Sequence, residues 1–176
     1  MSNNQLLNNV YNKCTAIWYI KFHNQKTNLI NELYKNLHGL KSSIAKDRYT
    51  SLCKSLLNDF FQDFINEISK LKIVLTKSDK QSLSLKINEF TIYLLEETKN
   101  DQRIQQALWY SDFEKSLLGN CEKLSCQLEN ECNLINHNIQ INWTKITAIV
   151  AIFTFLVQII INYDKIQGYV SLLKSP

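Results

Sequence analysis

Apolar residues recur at three- and four-residue spacing along most of this chain and become continuous only near its end. The spacing predicts amphipathic helices, each with one buried stripe. Leu6, Leu7, Val10, Cys14, Ile17, Trp18 and Phe22 mark a first helix over 5–22, and Leu29, Leu33, Leu37 and Leu40 a second over 28–40, ending near Gly39. The widest face lies over 49–71, where Leu52, Cys53, Leu56, Leu57, Phe60, Phe61, Phe64, Ile65, Ile68 and Leu71 suit burial against two neighbours. A fourth helix is expected to start at a Ser78 cap, with Gln81 closing a capping box, and to run through Leu83, Ile87, Phe90 and Leu94 to Asn100. A fifth carries Ile104, Ala107, Leu108, Tyr110, Phe113, Leu117 and Leu118 and is broken at Gly119; a sixth resumes with Cys121, Leu124, Leu128 and Ile135.

From Ile146 to Tyr163 no residue is charged, and the run is bounded by Lys145 and Asp164. As a helix it measures about 27 Å, close to the hydrocarbon thickness of a thin bilayer. Trp143 and Tyr163 sit where interfacial aromatics anchor a span. The residues expected to face lipid are Ile146, Ile149, Ile152, Phe153, Phe155, Leu156, Ile159 and Ile160. The competing reading makes the same stretch the central core helix of a bundle, which Gln158, two threonines and the marginal length favour.

Composition sharpens this picture. In 176 residues there are three Gly and one Pro, too few for a loop-rich fold or a glycine-rich phosphate cradle. Residues 1–142 carry 17 basic and 15 acidic side chains, interleaved along every expected helix, so nothing resembles a nucleic-acid-binding face. No signal peptide is recognised ahead of the five cysteines, and their odd number and irregular spacing point to a reduced, cytosolic body. The run Cys121, Cys126, Cys132, His137 lacks the pairwise spacing of a zinc site, and Cys121 reads as core; no metal or cofactor is expected. Three histidines lie in separate segments, and the adjacent Glu96 and Glu97 diverge by about 100° on a helix and read as a solvated helix end. An enzyme is not expected.

The stretch Ile141-Asn142-Trp143-Thr144-Lys145-Ile146-Thr147-Ala148 resembles the Asn-Trp-Gly-Arg-(Ile/Val)-x-Ala signature of the Bcl family of apoptosis regulators. The resemblance implies a helical bundle with a groove for an amphipathic, death-promoting helix, and it places Asn142, Trp143, Lys145 and Ala148 at that groove. Lys145 stands where the family has Arg, keeping the charge without the bidentate fork, and Thr144 replaces Gly. Upstream, Ala107, Tyr110, Ser111 and Asp112 look like the family's own death-type helix. Divergent viral members combine a compact helical domain with a C-terminal anchor.

The expectation is therefore an all-α protein: a compact bundle of five to seven helices over 1–142, a hydrophobic helix over 143–163 and a short tail over 164–176. The implied function is a Bcl-like regulator on the cytosolic face of the mitochondrial outer or endoplasmic-reticulum membrane, with an amphipathic helix of an apoptosis-related protein and the lipid bilayer as partners. The alternative is a tail-anchored tether or fusion-type coiled-coil protein, supported by the near-heptad run Leu117, Cys121, Leu124, Leu128 and Ile135, which misses an apolar residue at Glu131.

Overall fold

The computed structural model describes residues 2–36, 43–101, 104 and 110–173, with side chains described as far as Ile159. Among the described residues it contains four long helices and no strand: α1 (Asn3–Asn36), α2 (Ser43–Lys70), α3 (Lys77–Lys99) and α4 (Tyr110–Leu173). The all-α class holds, with fewer and longer helices than the five to seven expected from the stripes. The chain divides into two units, Met1–Asn136 and His137–Pro176.

Two expected breaks are absent. The polar run between Phe22 and Asn28 does not interrupt α1, because Lys26 occupies the stripe between Phe22 and Ile30 and is itself buried. Its ammonium donates to the Glu97 carbonyl at 3.2 Å and pairs with the Glu97 and Asp101 carboxylates at 3.4 and 3.8 Å, so it meets the negative end of α3. Glu97 is thus an ion-pair partner rather than a purely solvated helix end. Gly119 likewise lies inside α4: one glycine weakens a helix by about 1 kcal/mol, too little to end one held by packing. Leu37, Gly39 and Leu40, invoked for the end of the second helix, lie outside the described residues.

The cap of α3 is Thr76, two residues before the expected Ser78. The Thr76 side chain accepts from the Asp79 amide at 3.2 Å, and the Asp79 carboxylate accepts from the Thr76 amide at 2.9 Å and from Asn3 at 3.2 Å. Aspartate here does the work for which Glu or Gln was sought. Burial alone would raise the Asp79 pKa, but the bonds from Thr76 and Asn3 outweigh it and leave the carboxyl below its usual range.

The helices of the first unit alternate in direction. Lys13 to Glu67 (3.0 Å), Trp18 to Asp63 (3.1 Å) and Arg48 to Glu32 (3.0 Å) tie α1 antiparallel to α2. Tyr49 to Thr98 and the stacked Phe60 and Phe90 rings, 4.0 Å apart, tie α2 antiparallel to α3. The first part of α4 runs beside α2 through Lys46–Asp112, Tyr49–Phe113 and Asn58–Asn120, and antiparallel to α3 through Ser84–Ser125 and Lys80–Asn133. This is an up-down-up-down bundle, the arrangement that short connections between long helices favour.

The wide face of α2 is core from Cys53 to Ile68, whereas Leu52 and Leu71, also placed on it, are half-buried. Phe60, Phe61 and Phe64 have no exposed surface, and Tyr11, Phe60, Phe64 and Phe90 form a chain of ring contacts across three helices. Ile17, placed on the stripe of the first helix, is instead 51% exposed. On α4 the buried positions up to Asn136 are Phe113, Leu117, Cys121, Leu124, Leu128, Cys132 and Ile135. Their 4-4-3 spacing repeats every eleven residues, close to the 3.6 of a straight helix, so the seam is filled at Cys132 and not at Glu131.

Candidate functional site

Beyond the bundle, α4 changes character. Every described side chain from Gln140 to Ile159 is exposed, including Trp143, Ile146, Ile149, Ile152, Phe153, Phe155, Leu156 and Ile159. Phe153 is the most open, at 68%. None of the described side chains of the apolar window is buried, whereas a core helix is covered by its neighbours. What remains is one helix long and apolar enough to cross a membrane. The side chain of Ile160 lies outside the described ones.

The polar residues of the segment are accommodated locally. The hydroxyls of Thr144, Thr147 and Thr154 donate to the carbonyls of Gln140, Trp143 and Val150, at 2.9, 2.9 and 2.8 Å. Each threonine thereby satisfies its own donor within the helix, as hydrocarbon surroundings require.

The four residues assigned to a groove by resemblance all lie on this exposed helix. Lys145 and Ala148 share a shallow concavity with His137, Gln140, Ile141 and Thr144, formed by successive turns of one helix face; Asn142 and Trp143 are not part of it. The other group of candidates belongs to the first unit. Ala107 lies outside the described residues, whereas Tyr110, Ser111 and Asp112 form the first turn of α4. There Tyr110 donates to the Leu95 carbonyl at 3.3 Å, Ser111 faces solvent, and Asp112 accepts from Lys46 at 2.7 Å. The hydrogen bond and the charge of Lys46 hold the Asp112 carboxyl below its usual range. Tyr110 thus fastens the start of α4 to the last turns of α3, and Asp112 fastens it to the start of α2.

The seam that suggested a coiled coil is occupied within this chain, since Leu117 through Ile135 pack into the bundle. Among the described residues the cysteines are all free, with Cys14, Cys53, Cys121 and Cys132 buried and Cys126 exposed, and no group of His, Cys, Asp and Glu is arranged to hold a metal ion. Burial pushes the Cys53 thiol up to about 12 and the Cys132 thiol to about 11, which keeps both protonated and unreactive.

A second feature escaped the sequence reading. The connection between α2 and α3 is clamped by Asn136: the Asn136 side-chain oxygen accepts from the Leu75 amide at 2.8 Å and its nitrogen donates to the Leu75 carbonyl at 2.9 Å. Asn3 of α1 also donates to the Val74 carbonyl at 3.2 Å. Nothing in the sequence signals this clamp, since Asn136 and Leu75 stand 61 positions apart.

No protein-family model, curated protein or solved structure matches the chain.

Proposed function

We propose that this protein is a membrane-anchored helical bundle that displays an interaction module on the surface of an intracellular bilayer, held there by residues 143–163. The observation that carries this reading is that no described side chain of the uncharged, all-round apolar window is buried, while residues 1–136 form a core of their own. Exposing such a surface to water is costly, at about 25 cal/mol for each Å² of apolar area, and a bilayer removes that cost. The mitochondrial outer and endoplasmic-reticulum membranes are the proposed hosts, the run being about as long as the thinner hydrocarbon layers. The test is flotation of the full chain with vesicles, followed by alkaline carbonate extraction. An integral anchor stays with lipid through both steps, whereas release by carbonate rejects it.

A second reading makes the module a Bcl-like receptor for an amphipathic helix. This reading assigns Lys145 and Ala148 to a groove instead of the anchor and is supported by their clustering on one helix face, where a cation beside small and apolar positions suits an acidic amphipathic partner. Submicromolar binding of such a peptide, lost when its leucines become alanine, would sustain it; no binding by the reconstituted chain would sink it. The tether reading survives only without its coiled coil, because the seam at 117–135 is filled internally.

A further inference from the structure

We propose that the α2–α3 connection is a second membrane contact, in which Lys72 and Lys77 bind anionic lipid headgroups and Val74 enters the headgroup boundary. The proposal rests on the anchor reading above. Residues 70–80 contain four lysines and one acid, and that acid, Asp79, is buried in the cap of α3. Lys70 is engaged by Glu67, and Lys80 donates to Asn133 at 2.7 Å. Lys72 and Lys77 are exposed and have no ion-pair partner among the described residues. Between them Val74 is 57% exposed, and the amides of Lys72, Ile73 and Val74 donate no hydrogen bond among the described residues. The nearest acids on α4, Glu129 and Glu131, lie one to two turns before Asn136.

Two constraints bring this loop to lipid rather than to another partner. The Asn136 clamp fixes it to the last residue of the compact unit. Ile146, the first of the apolar run, lies ten positions after Asn136, so even a fully extended connection spans no more than roughly 35 Å. Once the anchor inserts, the loop is confined near a lipid surface at high effective concentration, where weak contacts suffice. Exposed cations flanking an apolar tip match a headgroup layer, in which charge meets phosphate and the apolar group reaches the acyl boundary.

The experiment is amide hydrogen exchange on the full chain reconstituted in phosphatidylcholine vesicles, with and without phosphatidylserine. The amides of residues 72–74 should exchange roughly fivefold more slowly for each lysine engaged when the anionic lipid is present. Lys72→Glu with Lys77→Glu, or high salt, should abolish the difference while residues 83–95 of α3 stay protected. A chain that floats with neutral vesicles but shows equal exchange in both lipids overturns this proposal alone. One that fails to float with neutral vesicles overturns the anchor reading and this contact with it.

Discussion

Helix α4 carries two kinds of apolar surface. Up to Asn136 its buried apolar residues form one stripe, with Phe113, Leu117, Leu124, Leu128 and Cys132 at 4% exposure or less, and the other positions are mostly polar, Leu118 and Leu134 excepted. From Trp143 to Ile159 apolar residues surround the helix, and the large ones are 40–68% exposed. The same backbone hydrogen bonding supports both. The difference is the surroundings each pattern requires: a stripe needs a neighbouring helix, whereas an all-round apolar surface needs a medium that is apolar on every side. The contrast also explains why aromatic residues behave so differently in the two regions, with Phe90 stacked inside three helices and Phe153 68% exposed.

The strongest way to break the comparison is to charge the second region. Val150→Lys with Phe153→Lys should cost about 2.5–3.5 kcal/mol per lysine at midspan and abolish flotation with vesicles, while the urea midpoint of the bundle stays unchanged. Next in size, Phe90→Ala should destabilise the bundle by about 3–5 kcal/mol in urea unfolding, because it empties a fully buried stack. Phe153→Ala should leave that midpoint within about 0.5 kcal/mol.

High pH sharpens the contrast further. The Cys53 thiol, lifted by burial from 9.0 to about 12, binds its proton more tightly folded than unfolded. Its contribution is therefore complete below pH 9 and is lost as pH rises towards 12. Cys132, lifted to about 11, adds to the same slope. Denaturation midpoints should fall over this window, and Cys53→Ala should flatten the fall; membrane retention should not follow it.

Smaller effects test local chemistry in the bundle. Thr76→Ala removes the cap of α3 and should lower stability by about 1 kcal/mol, measured by urea titration. Gly119→Ala should raise it by about 0.5–1 kcal/mol, since nothing lies within 4 Å of the added methyl and the helix gains propensity.

Much of this fold was legible. The stripes at Leu52–Ile68 and Leu83–Leu94 read directly as buried faces, because alternation between burial and solvent leaves a 3.6-residue period in any amphipathic helix. Helix boundaries were less legible. Lys26 concealed the unity of α1, since a lysine on a stripe looks like a break until its partners at Glu97 and Asp101 are seen. Gly119 suggested a break because its cost is visible locally and the packing on either side that offsets it is not. The Thr76 cap was overlooked because a shorter acid closes its box.

The candidate site divides in the same way. The absence of charge from Ile146 to Tyr163 is a property of the sequence alone, and it determined that this segment suits an apolar medium. Which medium was undecided, because a bundle core and a bilayer demand the same composition. Only the tertiary structure shows that α1, α2, α3 and the first part of α4 bury a core among themselves, and that no described side chain of the apolar window is buried. The clamp of Asn136 on Leu75 was equally beyond the sequence, as it joins residues 61 positions apart. Composition and periodicity fix what each helix face requires; which neighbour meets the requirement depends on contacts between distant parts of the chain, and these exist only once it has folded.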